Sequence, residues 1–544
     1  MISRVDTAVQ DLSAKVWSWR TVRQPRSRDD IPRLERPAGW LPVWTPDSVA
    51  NDRSQLEALE GEHRLLNLDD GSVTDQVDHA LIGSALARVR WELDVLQSWR
   101  RQPGFYVDES IGVVFDLLVV PPPFDESRIN AVVMALNAVS GMLEQGKENL
   151  DGEAVGEFAA VTIEELSHVE EQLRFVGEAI AREFPASLRP TVLQATQQAG
   201  AALAAFRDWL TVRIDGMRRW EPVGRERFAW LLRNVALTTS TPESLLQLAR
   251  LEHARAVSLS VAEATRPLDA SPPPTFSSVE DQVRREADDE AAVRAFYVER
   301  GILGQPHTLG HYLTAAMPAY LAPLKWLGVT DDLTGESRVD EDGVSYMPEP
   351  SPDLPYFYAA NARDPRAGIV HEGAHYQQLA LSWRHDNPVR RRYYDSGPNE
   401  GIAFYNEELM LQAGLFDNIP ASRSLIYSFM RLRALRVEVD VRLALGELTI
   451  DAASNYFANS VPMDIETASA ETAFFAAFPG QALTYQSGKT EIQRFLADAV
   501  RVLGDSFNLQ EFHDYLWLNG NVPISLQRYE YLGLTDEWEI LSNQ

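Results

Sequence analysis

The chain has 544 residues, 45% of them hydrophobic and 24% charged, which is typical of a globular protein large enough for two or more packed cores. Its net charge of -29 argues against nucleic acid and anionic membranes as partners, because binding a polyanion needs a basic surface. The absence of Cys excludes disulfides and Cys-ligated zinc, so a metal site would have to use His and carboxylate ligands.

The amino-terminal half of the chain is predicted to be helical. Residues 1–67 contain Pro and Arg and show weak periodicity, so we expect them to wrap the surface before the first long helix. Apolar residues spaced three and four apart then predict helices over 81–100, 130–143, 188–217 and 245–264. The chain starts without the basic and apolar regions of a signal peptide, and no apolar run reaches the roughly 18 residues of a membrane span. We therefore expect a cytoplasmic protein with no membrane partner.

A linker is predicted at 270–278, where Pro and Ser are concentrated. It would separate an amino-terminal helical region, 1–270, from a catalytic helical region, 271–544, that holds the candidate motifs. Short strands are predicted at 343–347 and 356–360. The predicted fold class is therefore mainly α, with a small β element and two lobes around a cleft.

The segment 368–378 carries an HExxH motif, formed by His371, Glu372 and His375. On an α-helix, residues four apart project from the same face, so both imidazoles can reach one ion while Glu372 stands beside it. Glu372 is the only carboxylate of this segment, which has no Lys or Arg, as expected for a helix buried beside a metal. The alternative is a buried helix whose histidines merely satisfy hydrogen-bond partners.

A third ligand is needed, because catalytic zinc takes three protein ligands and leaves a fourth position to water. Glu400 is the first candidate, since it stands in a turn-forming stretch that runs into a second helical pattern. One zinc ion per chain is therefore predicted, bound by His371, His375 and Glu400. Glu407 and Glu408 compete for this role, although solvated charges on the outer face of the same helix are favoured for them.

Four segments of the carboxy-terminal half resemble the conserved blocks of the bacterial family called domain of unknown function 885. They read HEGAHYQQ, NEGIAFYNE, RALRVEVD and PGQALTYQSGK, at 371–378, 399–407, 433–440 and 479–489. The family's domain would cover most of the chain, including its helical amino-terminal half. That family is regarded as zincin-like, with some members implicated in peptide hydrolysis. The resemblance thus implies a large multi-helix metallohydrolase of the Glu-zincin type.

Two departures from the family pattern bear on the chemistry. Family members more commonly carry a Pro-Gly insertion between the His-Glu pair and the following His, whereas this chain has an uninterrupted HExxH. The third block more often continues from Asp into Gly-Leu-His, and here Asp440 is followed by Val441, Arg442 and Leu443. If that histidine stabilises the transition state elsewhere in the family, another group must do so in this chain.

The expected reaction is hydrolysis by metal-activated water. Glu372 is predicted to accept a proton from water and to pass it to the leaving amine. Tyr485, in the fourth block, is predicted to donate a hydrogen bond to the developing oxyanion. Packing of Tyr485 in the core is the alternative.

Several residues are candidates for binding substrate. Lys489 lies four residues after Tyr485 and so on the same helical face. Tyr358 belongs to a predicted strand that either holds an extended substrate at a sheet edge or packs in the core. Arg436 is a further candidate and shares a helix face with Asp440, with which it can pair. Asp440 alternatively orients a ligating histidine.

Two other clusters have weaker signals. His307 and His311 repeat the four-residue spacing, but no carboxylate lies between them, so a helix start with His311 facing the cleft is favoured over a metal site. Residues 390–392 are three consecutive arginines that could capture a substrate carboxylate. A solvated surface turn is the favoured interpretation of that cluster.

Three functions remain open. The leading hypothesis is a zinc-dependent hydrolase that cleaves a peptide or amide bond in a short peptide or other small molecule. The second is a metal-dependent enzyme that acts on a non-peptide metabolite by amide hydrolysis or elimination. The third is a non-catalytic binding protein with a vestigial zinc site, although the intact ligand set argues against it.

Overall fold

The computed structural model describes residues 4–26, 34–68, 71–266, 273–351, 354, 356–461 and 463–542. Helices make up 71% of the structure and strands 3%, so the prediction of a mainly α protein with a small β element is confirmed. Residues 267–272, which include the start of the predicted linker, lie outside the described residues, and the boundary near 270 stays a prediction. Among the described residues, no helix combines the length and apolar character that crossing a membrane requires.

The four long helices predicted in the amino-terminal half are confirmed, with shifted ends. The helix predicted over 81–100 begins earlier, because Ser72 and Asp75 form a reciprocal capping box at its start. It ends at Arg90 and continues as a π-helical turn, Trp91–Leu96, before a break at Gln97. The α-helices of this half are Arg4–Arg23, Pro46–Leu65, Val73–Arg90, Ser98–Arg101, Pro103–Val107, Val113–Val119, Glu126–Leu150, Gly156–Glu165, Val169–Glu183, Arg189–Arg213, Arg225–Asn234 and Pro242–Glu263.

The prediction that residues 1–67 wrap the surface is wrong for the two helices in this segment, Arg4–Arg23 and Pro46–Leu65. Val9, Leu12 and Val16 are three and four residues apart and therefore lie on one helix face. All three are buried in the largest hydrophobic core. Polar and charged residues between these positions make the apolar face difficult to recognise from the overall composition of the segment.

The carboxy-terminal half holds a small sheet and further helices. Its strands are β1 (Tyr312–Ala316), β2 (Asp331–Asp332) and β3 (Gly343–Met347), in the order β1-β3-β2, with β1 parallel and β2 antiparallel to β3. Its α-helices are Val279–Glu299, Tyr356–Asn361, Arg366–Ser382, Pro388–Arg392, Ser396–Ala413, Pro420–Ala444, Ile450–Ser460, Ile465–Ala477, Thr484–Leu503, Leu509–Asn519, Ile524–Leu532 and Asp536–Ser542.

The strand predicted at 343–347 is confirmed as β3, whereas the strand predicted at 356–360 is wrong. Residues 356–361 form a short helix instead. A run of this length does not distinguish strand from helix by periodicity alone, and Ala359 and Ala360 favour the helix. β3 is the central strand, paired along its length with β1 on one side and at Val344 and Ser345 with β2 on the other, so it offers no full free edge to an extended substrate.

Two helices position the candidate site, and both are buried on nearly every face. The motif helix, Arg366–Ser382, carries the HExxH residues, and the ligand helix, Ser396–Ala413, carries Glu400. Asn406 joins them, because its amide nitrogen donates to the Val370 carbonyl over 2.7 Å. Asn399 adds a second link by donating to Gln378 over 2.8 Å. These buried hydrogen bonds fix the register of the two helices.

Candidate metal centre

The two histidines of the HExxH motif lie one turn apart on the motif helix and are both buried. Their ring centroids are 5.0 Å apart, with the planes nearly perpendicular. The Nε2 atoms of both rings face the carboxylate of Glu400 on the ligand helix. Glu400 Oε2 lies 3.3 Å from His375 Nε2 and 3.6 Å from His371 Nε2.

The structure thus brings the three predicted ligands together. One candidate ligand atom from each of His371, His375 and Glu400 lies within 4.8 Å of the other two. The ligand helix delivers Glu400 to this point because Asp395 caps its start, accepting a hydrogen bond from the Gly397 backbone over 2.8 Å. Glu400 therefore stands in the first turns of the helix, facing the motif helix.

The electrostatics of this group suit a cation. Burial raises the pKa of Glu400, but the nearby charges of His375 and His371 outweigh it and hold the pKa well below its usual range. Burial lowers the pKa of His371, but Glu372, Glu400 and Glu407 outweigh burial and raise it to about 9. Glu400 Oε2 is buried and accepts no hydrogen bond from the described residues. A site with this excess of negative charge and an orphaned carboxylate oxygen fits a bound metal ion.

Glu372 occupies a different position from the three ligands. Its side chain is 38% exposed, whereas the side chains of His371 and Glu400 are 11% and 9% exposed. Glu372 Oε1 lies 4.0 Å from His371 Nε2, beside the ligand set and facing a cavity. This is the position that a proton acceptor needs.

Glu407 is a site residue, and the expectation that it is a solvated charge is wrong. Its side chain is 1% exposed, and Oε1 lies 2.7 Å from Nδ1 of His371. Arg433 holds the same oxygen at 2.9 Å from its Nη2. Glu407 therefore fixes the ring of His371. Orienting a histidine in this way was one of the two roles predicted for Asp440. A signal was available, because Glu407 lies seven residues after Glu400 and hence on the same helix face.

Glu408 is also buried rather than solvated, in a cluster of its own. Its carboxylate lies 2.9 Å from Lys489 Nζ and 2.6 Å from Arg255 Nη1. Lys489 has no exposed side-chain surface and also contacts Glu252 at 3.3 Å. The prediction that Lys489 binds substrate is therefore wrong, because this lysine is enclosed in a buried ion network.

Tyr485 lies beside the ligand set. Its ring is parallel to that of His371, with centroids 6.2 Å apart, and it lines the same cavity. The guanidinium carbons of Arg433 and Arg436 each lie 5.3 Å from the Tyr485 centroid. Arg436 also forms an ion pair with Glu471, and the two residues line a second, smaller cavity behind the tyrosine. A role for Arg436 in binding substrate stays a prediction.

Two glycines of the family-like blocks let the ligand helix touch the helix Thr484–Leu503. A Cβ on Gly401 would lie 2.7 Å from the backbone of Gly488, and a Cβ on Gly488 would lie 2.0 Å from the Gly397 carbonyl oxygen. Neither contact is possible for a residue with a side chain. The close approach sets the helix that carries Tyr485 against the helix that carries Glu400.

The predicted roles of Asp440 are wrong. Its carboxylate is fully buried and accepts hydrogen bonds from the backbone of Gly480 over 2.9 Å and of Leu483 over 3.0 Å. Burial raises the pKa of Asp440 to about 7, against the opposing effect of these donors. Asp440 thus pins the turn that starts the helix of Tyr485, and it neither pairs with Arg436 nor orients a histidine.

Asp331 on β2 is a site residue that the sequence analysis missed. It lines the cavity with Glu372, accepts hydrogen bonds from Tyr312 over 2.9 Å and Ser345 over 2.8 Å, and has a pKa raised to about 7 by burial and by the charge of Glu372. A two-residue strand has no periodicity by which it could have been found.

Tyr358 lies close enough to Asp331 and Glu372 for their charges to act on it. Burial first, and then these two charges, raise the pKa of Tyr358. Its role in binding substrate stays a prediction.

Two further predictions are corrected by position. His307 and His311 lie in the irregular segment before β1, and no helix starts there as predicted. His311 Nδ1 lies 2.8 Å from Glu290 instead of facing the cavity.

Arg390 is fully buried and pairs with Asp78 at 2.6 Å, so the arginine cluster is not a solvated turn at this position.

A cavity of about 640 Å³ opens in front of the candidate metal centre. Its wall includes His371, Glu372, His375, Glu400 and Tyr485. Another part of the wall comes from the amino-terminal half, from residues within 24–26, 34–40 and 113–131. The volume lies in the range of pockets that enclose small ligands.

The chain is similar to two solved structures of bacterial proteins. A candidate lipoprotein from Colwellia psychrerythraea is 16% identical, with a TM-score of 0.72 and full coverage of both chains. A candidate lipoprotein of unknown function from Shewanella oneidensis is 14% identical, with a TM-score of 0.69 over 97% of this chain and 98% of that one. At these identities the likeness shows the fold alone.

No curated protein matches the chain. The model of the family described as "Bacterial protein of unknown function (DUF885)" matches residues 38–529. This match covers most of the chain, including the amino-terminal helices and the four blocks that carry the resemblance. The chain therefore belongs to the DUF885 family of bacterial proteins.

Proposed function

We propose that this protein is a zinc-dependent hydrolase of the zincin type, which cleaves a peptide or amide bond in a small peptide-like substrate. The observation that carries the proposal is the convergence of His371, His375 and Glu400 in the wall of the 640 Å³ cavity. Two imidazoles and one carboxylate form a ligand set of catalytic zinc sites, which keep one position open. The cavity wall draws on both halves of the chain, which supports the two-lobed arrangement.

The chemistry divides among a few side chains. When bound, zinc supplies Lewis-acid chemistry that favours deprotonation of water at neutral pH. Glu372, exposed to the cavity beside the ligand set, accepts that proton and delivers it to the leaving amine. Tyr485 donates a hydrogen bond where the oxyanion develops, in place of the histidine that follows the third block in other family members. Glu407 and Arg433 hold the ring of His371 in place.

Metal analysis tests the proposal directly. We expect the purified protein to hold about one zinc per chain, removable by a chelator and restored by added zinc, with a higher melting temperature in the zinc-loaded form. His371→Ala should lose most of this zinc. His168→Ala is the matched control, because His168 is exposed and outside the site. A native protein that neither contains zinc nor takes it up in titration would overturn the proposal.

The role of Glu407 gives a second measurable outcome. We expect Glu407→Gln to weaken zinc binding by roughly tenfold to a hundredfold, because the amide no longer offers His371 a charged acceptor. Competition with a chromophoric chelator measures the zinc affinity. Glu408→Gln is the control, since the neighbouring buried carboxylate contacts Lys489 and Arg255 but no metal ligand. Equal losses of affinity in both variants would contradict the role of Glu407.

A further inference from the structure

Arg128 lines the same cavity as the candidate metal centre, in the part of the wall that comes from the amino-terminal half. It is the third residue of the helix Glu126–Leu150 in the amino-terminal half. Its guanidinium is held in a fixed position. Nε donates to the Leu117 carbonyl over 2.8 Å and Nη1 to the Pro121 carbonyl over 2.8 Å. Nη2 donates to the Val120 carbonyl.

These contacts leave donors free for a ligand. A guanidinium has five N–H groups, and the three carbonyl bonds use one on each nitrogen, so one remains on Nη1 and one on Nη2. The ring of Phe124 lies 4.0 Å from the Arg128 guanidinium carbon and supports the plane of the group. Two N–H groups on the terminal nitrogens of a fixed, planar cation are suited to a carboxylate.

The charge of Arg128 is not neutralised by direct contact, in contrast to its neighbours in the wall. Arg26 lies 3.1 Å from Asp116, and Arg338 lies 2.7 Å from Asp332. Within the described part of the chain, no carboxylate lies at ion-pair distance from Arg128. Partly buried cations are usually compensated, so this arrangement leaves a place for an anion.

Arg36 is the other described arginine of this wall that donates to carbonyls, those of residues 20, 21 and 24. It differs from Arg128 because the charges of Glu109 and Asp116 already act on it. Asp125 caps the helix of Arg128 and also lines the cavity, but its carboxylate accepts from the Arg128 backbone N–H over 2.7 Å and forms no ion pair with the guanidinium. The charge of Asp332 also acts on Arg128, without an ion pair between them, and Arg338 offsets it. Arg128 is thus the better place for a substrate anion.

Part of the cavity would repel such an anion. Asp331 and Glu372 line it with no Lys or Arg of the described residues at ion-pair distance, and like charges raise the cost of placing a carboxylate near them. Asp332 and Glu336, by contrast, are paired with arginines. A substrate carboxylate is therefore favoured at Arg128, whose guanidinium contacts no carboxylate of the described residues, over the part of the wall near Asp331 and Glu372. The charges of the cavity wall would thus orient the bound substrate as well as locate its carboxylate.

We propose that Arg128 binds the free carboxylate of a short peptide or acylated amino acid whose scissile bond lies at Glu372. This rests on the proposed hydrolase function and narrows its substrate class to compounds with a free carboxyl end. Peptides blocked as carboxy-terminal amides, and internal segments of long proteins, would lack the group that Arg128 recognises.

The experiment compares a pool of dipeptides as free acids with the same pool as carboxy-terminal amides. Wild-type protein loaded with zinc is assayed for cleavage, and the zinc-loaded Glu372→Gln variant for binding by equilibrium dialysis and mass spectrometry. We expect acids to be preferred over amides by roughly tenfold to a hundredfold in both assays. In Arg128→Gln the preference should fall close to one, and Arg128→Lys should keep part of it because the charge remains.

Two variants guard against indirect effects. Asp332→Asn/Arg338→Gln removes a compensated pair from the same cavity without changing its net charge, and it should keep the acid preference. Thermal melting of each variant checks that the helix end supported by Arg128 remains folded. If Arg128→Gln is unstable, the preference for acids over amides is measured in Arg128→Lys and in Arg36→Gln instead, and it decides which arginine binds the carboxylate. Loss of preference in Arg36→Gln with retention in Arg128→Lys would overturn the proposal.

The outcomes also separate this proposal from the proposed function. Equal binding and cleavage of acids and amides by the wild type would mean that no group recognises the carboxylate. A preference that survives in Arg128→Gln would mean that zinc or another group binds it. Either result overturns the proposal for Arg128. Binding of acids by the Glu372→Gln variant without cleavage by the wild type would leave the Arg128 site standing and overturn the hydrolase. If the acids are neither bound nor cleaved, the proposed carboxylate site is overturned.

Discussion

Glu372→Gln is expected to lower kcat by about 10²- to 10⁴-fold while leaving the zinc content unchanged. The reason is that Glu372 lies beside the ligand set and faces the cavity, so the amide removes a proton acceptor but no ligand. The measurement uses the best substrate from a screen of dipeptides and acylated amino acids. Zinc content of the same preparation is measured in parallel.

The control for this variant is Glu341→Gln. Glu341 is an exposed glutamate that pairs with Arg338 at 3.0 Å, and its loss should leave kcat unchanged. A Glu372→Gln variant that retains both zinc and full activity would exclude the general-base mechanism. Loss of zinc in that variant would instead mean that Glu372 is a ligand, and the assignment of the open position would have to change.

The convergence of His371, His375 and Glu400 could be predicted because a local rule fixes much of its geometry. Helical periodicity alone places His371 and His375 on one face, and the turn before Glu400 predicts a second helix that can reach them. The resemblance to the family, confirmed over residues 38–529, directed attention to the same blocks. These features depend on spacing within a few turns, which a single sequence contains.

The surroundings of the site could not be predicted, because they depend on which helices pack together. The ligand helix is buried on nearly every face, so no amphipathic pattern showed that Glu408 points inward, and only the seven-residue spacing from Glu400 pointed to Glu407. The partners that compensate them, Arg433 and Lys489, stand on two other helices. Long-range pairing of this kind has no signature in local sequence. The same limitation applies to Asp331 and to Arg128, which reach the cavity from a short strand and from the amino-terminal half.

Gly488→Ala is expected to cause the largest structural loss of any single methyl addition at the site. The added Cβ would lie 2.0 Å from the Gly397 carbonyl oxygen and 2.8 Å from the Gly401 Cα, so the two helices must move apart. Overpacking in a core costs about 1–3 kcal/mol, and contact with backbone rather than flexible side chain places this variant at or above the upper end. Because Gly397 and Gly401 flank Glu400, the displacement should also reduce zinc occupancy.

Gly141→Ala is the matched control, because Gly141 lies within the helix Glu126–Leu150 and its Cβ would meet nothing within 4 Å. This variant should be stabilised by about 0.5–1 kcal/mol, as alanine is the better helix former at an unstrained helical position. Thermal melting and zinc analysis of both variants give the comparison. A Gly488→Ala protein with wild-type melting temperature and full zinc occupancy would show that the helices are not in backbone contact. In that case the close approach that sets the helix of Tyr485 against the ligand helix would lose its physical basis.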